Sequence, residues 1–176
     1  MMQKNIQTNT PPTNLSSSSV SSLEASSWRM QRWDSHNPPA PATLLDLAIF
    51  LHNHLGEYGD TLPAIQAALQ RAVSAEAQAG GYVLAGYLNE QLAGVVVMLD
   101  THMQDYVPEH LLVYIAVDGS HRGQGLGRQL MQAALHAAKG SVALHVEADN
   151  PARKLYERLG FSNPYLEMRW SPDQKA

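Results

Sequence analysis

The stretch Leu111-Leu112-Val113-Tyr114-Ile115-Ala116-Val117-Asp118-Gly119-Ser120-His121-Arg122-Gly123-Gln124-Gly125-Leu126-Gly127-Arg128 decides how this chain is read. Its first seven residues form a nearly unbroken apolar run, the pattern of a strand buried on both faces. After the turn Asp118–His121, glycine stands at alternate positions 123, 125 and 127. Leu126, Leu130, Ala134 and Ala138 then recur at helical spacing, so a helix begins inside the glycine loop and stops at Gly140. Glycine lets the backbone approach a bulky anion, and the first N–H groups of a helix point toward it without intrahelical partners. Arg122 and Arg128 flank the loop and can add charge-assisted contacts to phosphate oxygens. The stretch reads as a phosphate cradle.

Two other readings of the loop stand beside this one. The glycines can simply let the helix pack close to the sheet. A dinucleotide fingerprint is also suggested by Glu147, about 20 residues further on. That reading fails because Arg128 stands where the fingerprint needs glycine. In addition, four residues separate strand from loop, and the unit sits late in the chain.

Working toward the N-terminus, Tyr82–Leu88 and Leu92–Leu99 flank Asn89-Glu90-Gln91 as a predicted hairpin. Leu62, Ile65, Leu69 and Val73 mark a helix entered through Asp60-Thr61, with Pro63 in its first turn. Leu44, Leu47, Ala48, Leu51 and Leu55 mark another, over about 42–55, closed by Gly56. Trp28–Trp33 reads as a short strand ended by Asn37-Pro38-Pro39. Toward the C-terminus, Val142–Val146 reads as a strand, Pro151–Leu159 as a helix closed by Gly160, and Phe161–Trp170 as a final strand or broken pair. The predicted order is β-α-α-β-β-β-α-β-α-β(-β). Antiparallel strands in front and βαβ units behind imply an α+β fold with a mixed, mostly antiparallel central sheet flanked by helices.

Residues 1–27 are mostly Ser, Thr, Asn, Gln and Pro and offer almost nothing to bury, so a disordered leader is expected there. One domain is expected over 28–176. A formal net charge of −4 gives no electrostatic reason to expect a nucleic-acid or membrane partner. The chain has no cysteine, which excludes disulfides, thiolate nucleophiles and Cys-ligated zinc. No apolar run approaches the ~18–20 residues that span a bilayer. Lys4 has no apolar stretch behind it, so the start is not read as a secretory signal and a cytoplasmic location is the expectation. His52 and His54, two apart on a helix, do not share a face, and Asp100 with His102 reads as a solvated edge, so no metal is expected.

Arg122-Gly123-Gln124-Gly125-Leu126-Gly127 after a buried strand resembles the acyl-CoA signature of the GNAT superfamily of N-acetyltransferases. The segment Asn150-Pro151-Ala152-Arg153-Lys154-Leu155-Tyr156-Glu157-Arg158-Leu159-Gly160-Phe161 resembles the second half of that signature. The clear likeness covers roughly 110–161, while 28–109 agree in element order only.

The resemblance implies that the fourth and fifth strands splay apart and acetyl-CoA lies in the opening. Its pantetheine arm would pair with backbone groups of Ile115, Ala116 and Val117, one N–H of which would hold the thioester oxygen as it becomes an oxyanion. Residues 122–128 (Arg122, Gly123, Gln124, Gly125, Leu126, Gly127 and Arg128) would take the pyrophosphate. Asn150 would contact the pantetheine or help fix the splay. The implied reaction is direct attack of an amine on the thioester in a ternary complex. Tyr156 matches the family's acid, which protonates the departing thiolate.

For the base, His145 is the candidate, since imidazole titrates near neutrality. The ribosomal-protein acetyltransferase branch carries glutamate at that position, and Glu147, two residues on, should face the same side. The acceptor is an amine of a small molecule, protein or peptide, and a homodimer is compatible with the reading. The loop Gly56-Glu57-Tyr58-Gly59-Asp60 falls where the family walls its acceptor pocket, and its acidic groups suit a cationic amine. A non-catalytic acyl-CoA-binding or sensing module is the alternative function, and transfer of a longer acyl group a third.

Overall fold

A computed structural model describes residues 27–172. The expected leader lies outside the described residues, apart from Ser27. The Ser27 N–H donates to Asn89 Oδ1 (2.9 Å) and its carbonyl accepts from the Asn89 N–H (2.9 Å).

The elements are β1 (Trp28–Trp33), α1 (Pro41–His54), α2 (Leu62–Ala72), β2 (Gly81–Leu88), β3 (Gln91–Asp100), β4 (His110–Val117), α3 (Leu126–Ala137), β5 (Val142–Leu144) and α4 (Arg153–Arg158). They bear out the α+β class. Five strands lie in the order β1-β2-β3-β4-β5. The first four are antiparallel, whereas β5 runs parallel to β4 after the α3 crossover.

Local chemistry explains the early elements. Asn89 and Glu90 both take positive φ (49° and 64°), the two-residue turn whose twist matches the flanking strands. Gly56, just past α1, has φ 65° and ends that helix in the left-handed region. Pro41 opens α1 and Pro63 sits in the first turn of α2, where a missing N–H costs no helical bond.

Side chains alternate across the sheet. Val83, Ala85, Val95 and Val97 pack with α1 and α2 on one face. Tyr82, Leu84, Val96 and Met98 pack with α3 and α4 on the other. The central β3 is therefore buried on both sides and reads as a continuous apolar run.

Two sequence expectations change. The strand Val142–Val146 stops at Leu144, because its partner β4 pairs with it only through His110–Leu112. The final strand or pair over Phe161–Trp170 does not form among the described residues. Pro164 lacks an N–H for a ladder, and a three-residue β5 offers little edge to extend. Tyr165, Leu166, Met168 and Trp170, whose apolar character suggested a strand, are exposed.

Helix α3, which carries the glycine loop, settles on β3 through a gap left by Gly94. A Cβ there would lie 2.4 Å from Leu130 Cδ1 and 3.2 Å from the Ala116 carbonyl oxygen. Leu130 is fully buried and has nowhere to retreat. Gly94→Ala is expected to cost ~1–3 kcal/mol by overpacking and to lower Tm by several degrees. A thermal melt unchanged from wild type would show that α3 shifts freely.

Candidate active site

The site begins with an irregularity in β4. Val97 is opposite Tyr114 and Met98 opposite Leu112, so Val113 has no partner and forms a bulge. The bulge re-aims the strand. Upstream of it, His110, Leu111 and Leu112 pair with Val142, Ala143 and Leu144. Beyond it, β4 continues to Val117 and, among the described residues, pairs with β3 alone, so its other edge is bare there. Ile115, Ala116 and Val117 lie along this bare edge, with backbone groups open to an added strand.

The opening separates two faces. Tyr114 and Ala116 belong to the α1/α2 side, Ile115 and Val117 to the α3/α4 side. On the β5 side, Val142, Leu144 and Val146 pack toward α3 and α4. By alternation Ala143 faces the α1/α2 side, and His145 and Glu147 follow past the end of β5.

At the end of β4, Asp118 Oδ1 accepts from the Ser120 N–H (2.8 Å) and hydroxyl (2.7 Å), which forms a 3-10 turn over Gly119–His121. Those hydrogen bonds hold the Asp118 carboxyl below its usual range. The chain then enters the glycine loop. Gly123 (φ 78°) and Gly125 (φ 82°) are left-handed, and a Cβ at either would meet nothing within 4 Å. The loop's shape therefore demands glycine, while the space beside it is open. Gly125 is the N-cap of α3 and has no side-chain cap, so the first N–H groups of the helix have no side chain to satisfy them.

These N–H groups border a cavity of about 550 Å³. Of the residues singled out from sequence, it brings together Val117, Arg122, Gly123, Gly125, Leu126, Gly127 and Arg128. Gln124 sits in the loop without lining the cavity, and Ile115 and Ala116 lie further back along β4. The opposite wall is α4, through Leu155, Arg158 and Leu159. Sequence reading missed the guanidinium of Arg158 and the imidazole of His121 on the lining. The spacing of Leu155, Arg158 and Leu159, which puts them on one helix face, held the signal.

Arg122 differs from its expected role. Its guanidinium donates to the His54 carbonyl (3.0 Å) at the end of α1, where a cation is favoured. Its side chain ties the loop to α1 and leaves its backbone to the cavity. Asn150 likewise spends its side-chain oxygen locally, accepting from the Ala152 N–H (2.9 Å) at the entry to α4.

Tyr156 is 7% exposed and packs edge-on against Phe161 at 6.0 Å between ring centroids. Burial alone pushes its phenol up to about 12, so the hydroxyl keeps its proton at neutral pH. His145 is exposed and lies just past β5, with Nε2 3.1 Å from Glu167 Oε2. The Glu167 carboxyl is held below its usual range by its hydrogen bond to Arg169 and by His145. Glu147 is exposed.

Sequence comparison fits this geometry. The family model described as Acetyltransferase (GNAT) family matches residues 28–161. The chain belongs to the GNAT family of acetyltransferases. Mycothiol acetyltransferase from Rhodococcus erythropolis (strain PR4 / NBRC 100887) is 40% identical over 70 residues, which cover 36% of this chain and 23% of that protein. The mycothiol acetyltransferase of Corynebacterium aurimucosum (strain ATCC 700975 / DSM 44827 / CIP 107346 / CN-1) is 44% identical over 69 residues, with 36% and 23% covered. The match thus spans about a quarter of the length of these curated relatives.

Among solved structures, the aminoglycoside N-acetyltransferase AAC(6')-Iy in complex with CoA aligns at a TM-score of 0.64 and 15% identity, covering 86% of this chain and 99% of that one. The ribosomal-protein-alanine N-acetyltransferase from Brucella melitensis biovar Abortus 2308 aligns at 0.58 and 16%, covering 82% and 99%. At these identities the likeness is one of fold. This GNAT chain has no helix among its described residues long and apolar enough to cross a membrane.

The buried phenols of this GNAT domain set an alkaline limit. Burial raises Tyr82 and Tyr156 each to about 12, against ~10 for an unfolded tyrosine. Above ~10 the unfolded chain releases protons that the folded chain keeps, so stability falls as pH rises. Below that range neither tyrosine contributes a slope. Tyr156→Phe removes one of these buried phenols, and its urea midpoint is expected to fall less steeply than wild type between pH 10 and 12. Parallel slopes would place the Tyr156 phenol in a solvent-like setting.

Proposed function

We propose that this protein transfers an acetyl group from acetyl-CoA to an amine by direct attack in a ternary complex, with residues 28–176 as the transferase domain. The observation that carries the reading is the bare edge of β4 leading into a glycine loop whose N–H groups face an open cavity. The donor set suits the coenzyme: left-handed glycines without side chains, unpaired helix N–H groups, the cations Arg128 and Arg158, and the His121 imidazole on the lining.

In this reading the loop from Arg122 to Arg128 holds the pyrophosphate through its backbone, and Ile115–Val117 hold the pantetheine as an added strand. A β4 backbone N–H stabilises the oxyanion as the amine attacks the thioester carbonyl. Tyr156, protonated at neutral pH, gives its proton to the departing thiolate from the α3/α4 side. His145, with Glu167 behind it, takes the amine's proton. Asn150 shapes the turn that keeps the opening parted. The acceptor is a small-molecule or peptide amine. The partial relatives are named for mycothiol, and several structural neighbours for aminoglycosides.

Gly125→Asp places a carboxylate in the cradle. Its acetyl-CoA affinity is expected to drop by more than tenfold, ~1.4 kcal/mol. A side chain at φ 82° adds local backbone strain of about 1–3 kcal/mol, but the Cβ meets no protein atom, so the fold is expected to be retained at some cost in Tm. Calorimetry showing wild-type affinity would remove the loop from the site.

Tyr156→Phe keeps the ring and deletes the proton donor. Turnover is expected to fall by ~10²-fold with acetyl-CoA binding intact. Activity within twofold of wild type would reduce Tyr156 to a packing residue. Wild-type protein that binds acetyl-CoA but releases no coenzyme A with any amine would favour the non-catalytic binding module instead.

A further inference from the structure

Outside the groups used so far, one polar pair stands at the mouth of the opening. The Tyr114 hydroxyl donates to Asp60 Oδ2 at 2.6 Å, joining β4 to the α1–α2 connection across 54 residues. Tyr114 is only 9% exposed, while Asp60 is exposed at the surface end of the contact. Among the described residues Asp60 is in no salt bridge. The carboxylate is thus bound by a phenol and otherwise faces outward.

Hydrogen-bond polarity follows from counting protons. A phenol has one hydrogen, and here it is committed to Asp60, which leaves the Tyr114 oxygen with lone pairs only. Ionised Asp60 offers only acceptors as well. Burial and the Asp60 carboxylate both push the Tyr114 phenol upward, so this polarity holds at neutral pH. The pair complements a group that arrives bearing N–H donors and positive charge.

Its place in the fold matches. Tyr114 is the first β4 residue past the bulge, two beyond Leu112, the last residue paired to β5. It lies on the α1/α2 face, across the sheet from Tyr156. From the same connection as Asp60, the Tyr58 phenol is raised by desolvation and then by the carboxylates of Asp149, Glu57 and Glu147. The α1–α2 connection is thus close enough to Asp149 and Glu147, which follow β5, for their charges to act on Tyr58. Acidic residues are concentrated in the α1–α2 connection (Glu57, Asp60) and after β5 (Glu147, Asp149), while Arg128 and Arg158 line the cavity that would take the pyrophosphate.

We propose that Tyr114 and Asp60 form the acceptor-positioning pair, selecting an aliphatic amine that is cationic in solution. Tyr114 Oη accepts a hydrogen bond from the incoming nitrogen, and Asp60 acts through Tyr114 by fixing the direction of its O–H. The pair moves no proton and leaves the general base to His145. This inference rests on the transferase reading, because it needs the thioester to lie along Ile115–Val117.

The test is a kinetic split with the full chain. Glucosamine, spermidine, sisomicin and an alanyl peptide serve as acceptors, and the best substrate of wild type is carried forward. Tyr114→Phe and Asp60→Asn are each expected to raise KM for that amine by about tenfold or more. The KM for acetyl-CoA and its calorimetric affinity should stay within twofold. Because Asp60 acts through Tyr114, the double variant should be no worse than Tyr114→Phe alone.

Amine KM within twofold of wild type in both variants would overturn the pair. So would a parallel loss of acetyl-CoA affinity and melting temperature, which a merely structural contact would produce. Wild-type protein that fails to bind acetyl-CoA would instead sink the transferase reading beneath it.

Discussion

The structure depends on one constraint: β4 cannot stay paired to β5 past its bulge. Val113 has no partner on β3, and from Tyr114 onward the strand diverges from Leu144. An internal strand ordinarily satisfies its backbone on both sides, since buried orphan N–H and C=O groups are costly. Here one row is left open over Ile115, Ala116 and Val117. The opening also divides the domain's chemistry by face. The buried phenol of Tyr156 packs on the α3/α4 side. Tyr114 belongs to the other. In the proposed reaction that division keeps the proton donor to sulfur apart from the phenol that meets the amine.

Electrostatic separation runs the same way. Net charge is a modest −4, and from it alone no charged ligand is expected. The fold sorts those charges. Arg128 and Arg158 collect around the cavity at the α3 N-terminus. Glu57, Asp60, Glu147 and Asp149 collect about the α1–α2 connection and the segment after β5. Arg122 links the two regions, its backbone in the loop and its guanidinium on the His54 carbonyl of α1. In the proposed reaction an anionic donor and a cationic acceptor are thus drawn to different parts of the site.

Much of this was legible from residue order. Asn89-Glu90 between alternating apolar runs specified a hairpin, and the left-handed φ of both residues is the local reason. The alternating glycines announced a backbone that must approach something closely, and Gly123 and Gly125 are left-handed beside open space. These signals are local, set by a few neighbouring residues and their own φ and ψ. The errors came where pairing partners decide. Phe161–Trp170 carries apolar residues that fit a strand, yet a strand exists only with a ladder to join. Pro164 and the three residues of β5 supply little of one.

Residue order sets the α+β arrangement, the glycine cradle, the lack of thiol chemistry and the family likeness, because each is written in composition or short-range spacing. It took the folded chain to end β5 at Leu144, to turn the Arg122 side chain to α1, and to bring Arg158 opposite the loop across the cavity. Folding alone joined Tyr114 to Asp60. A contact across 54 residues leaves no periodic trace, since neither side chain constrains the other until the sheet and the helix connection are in place.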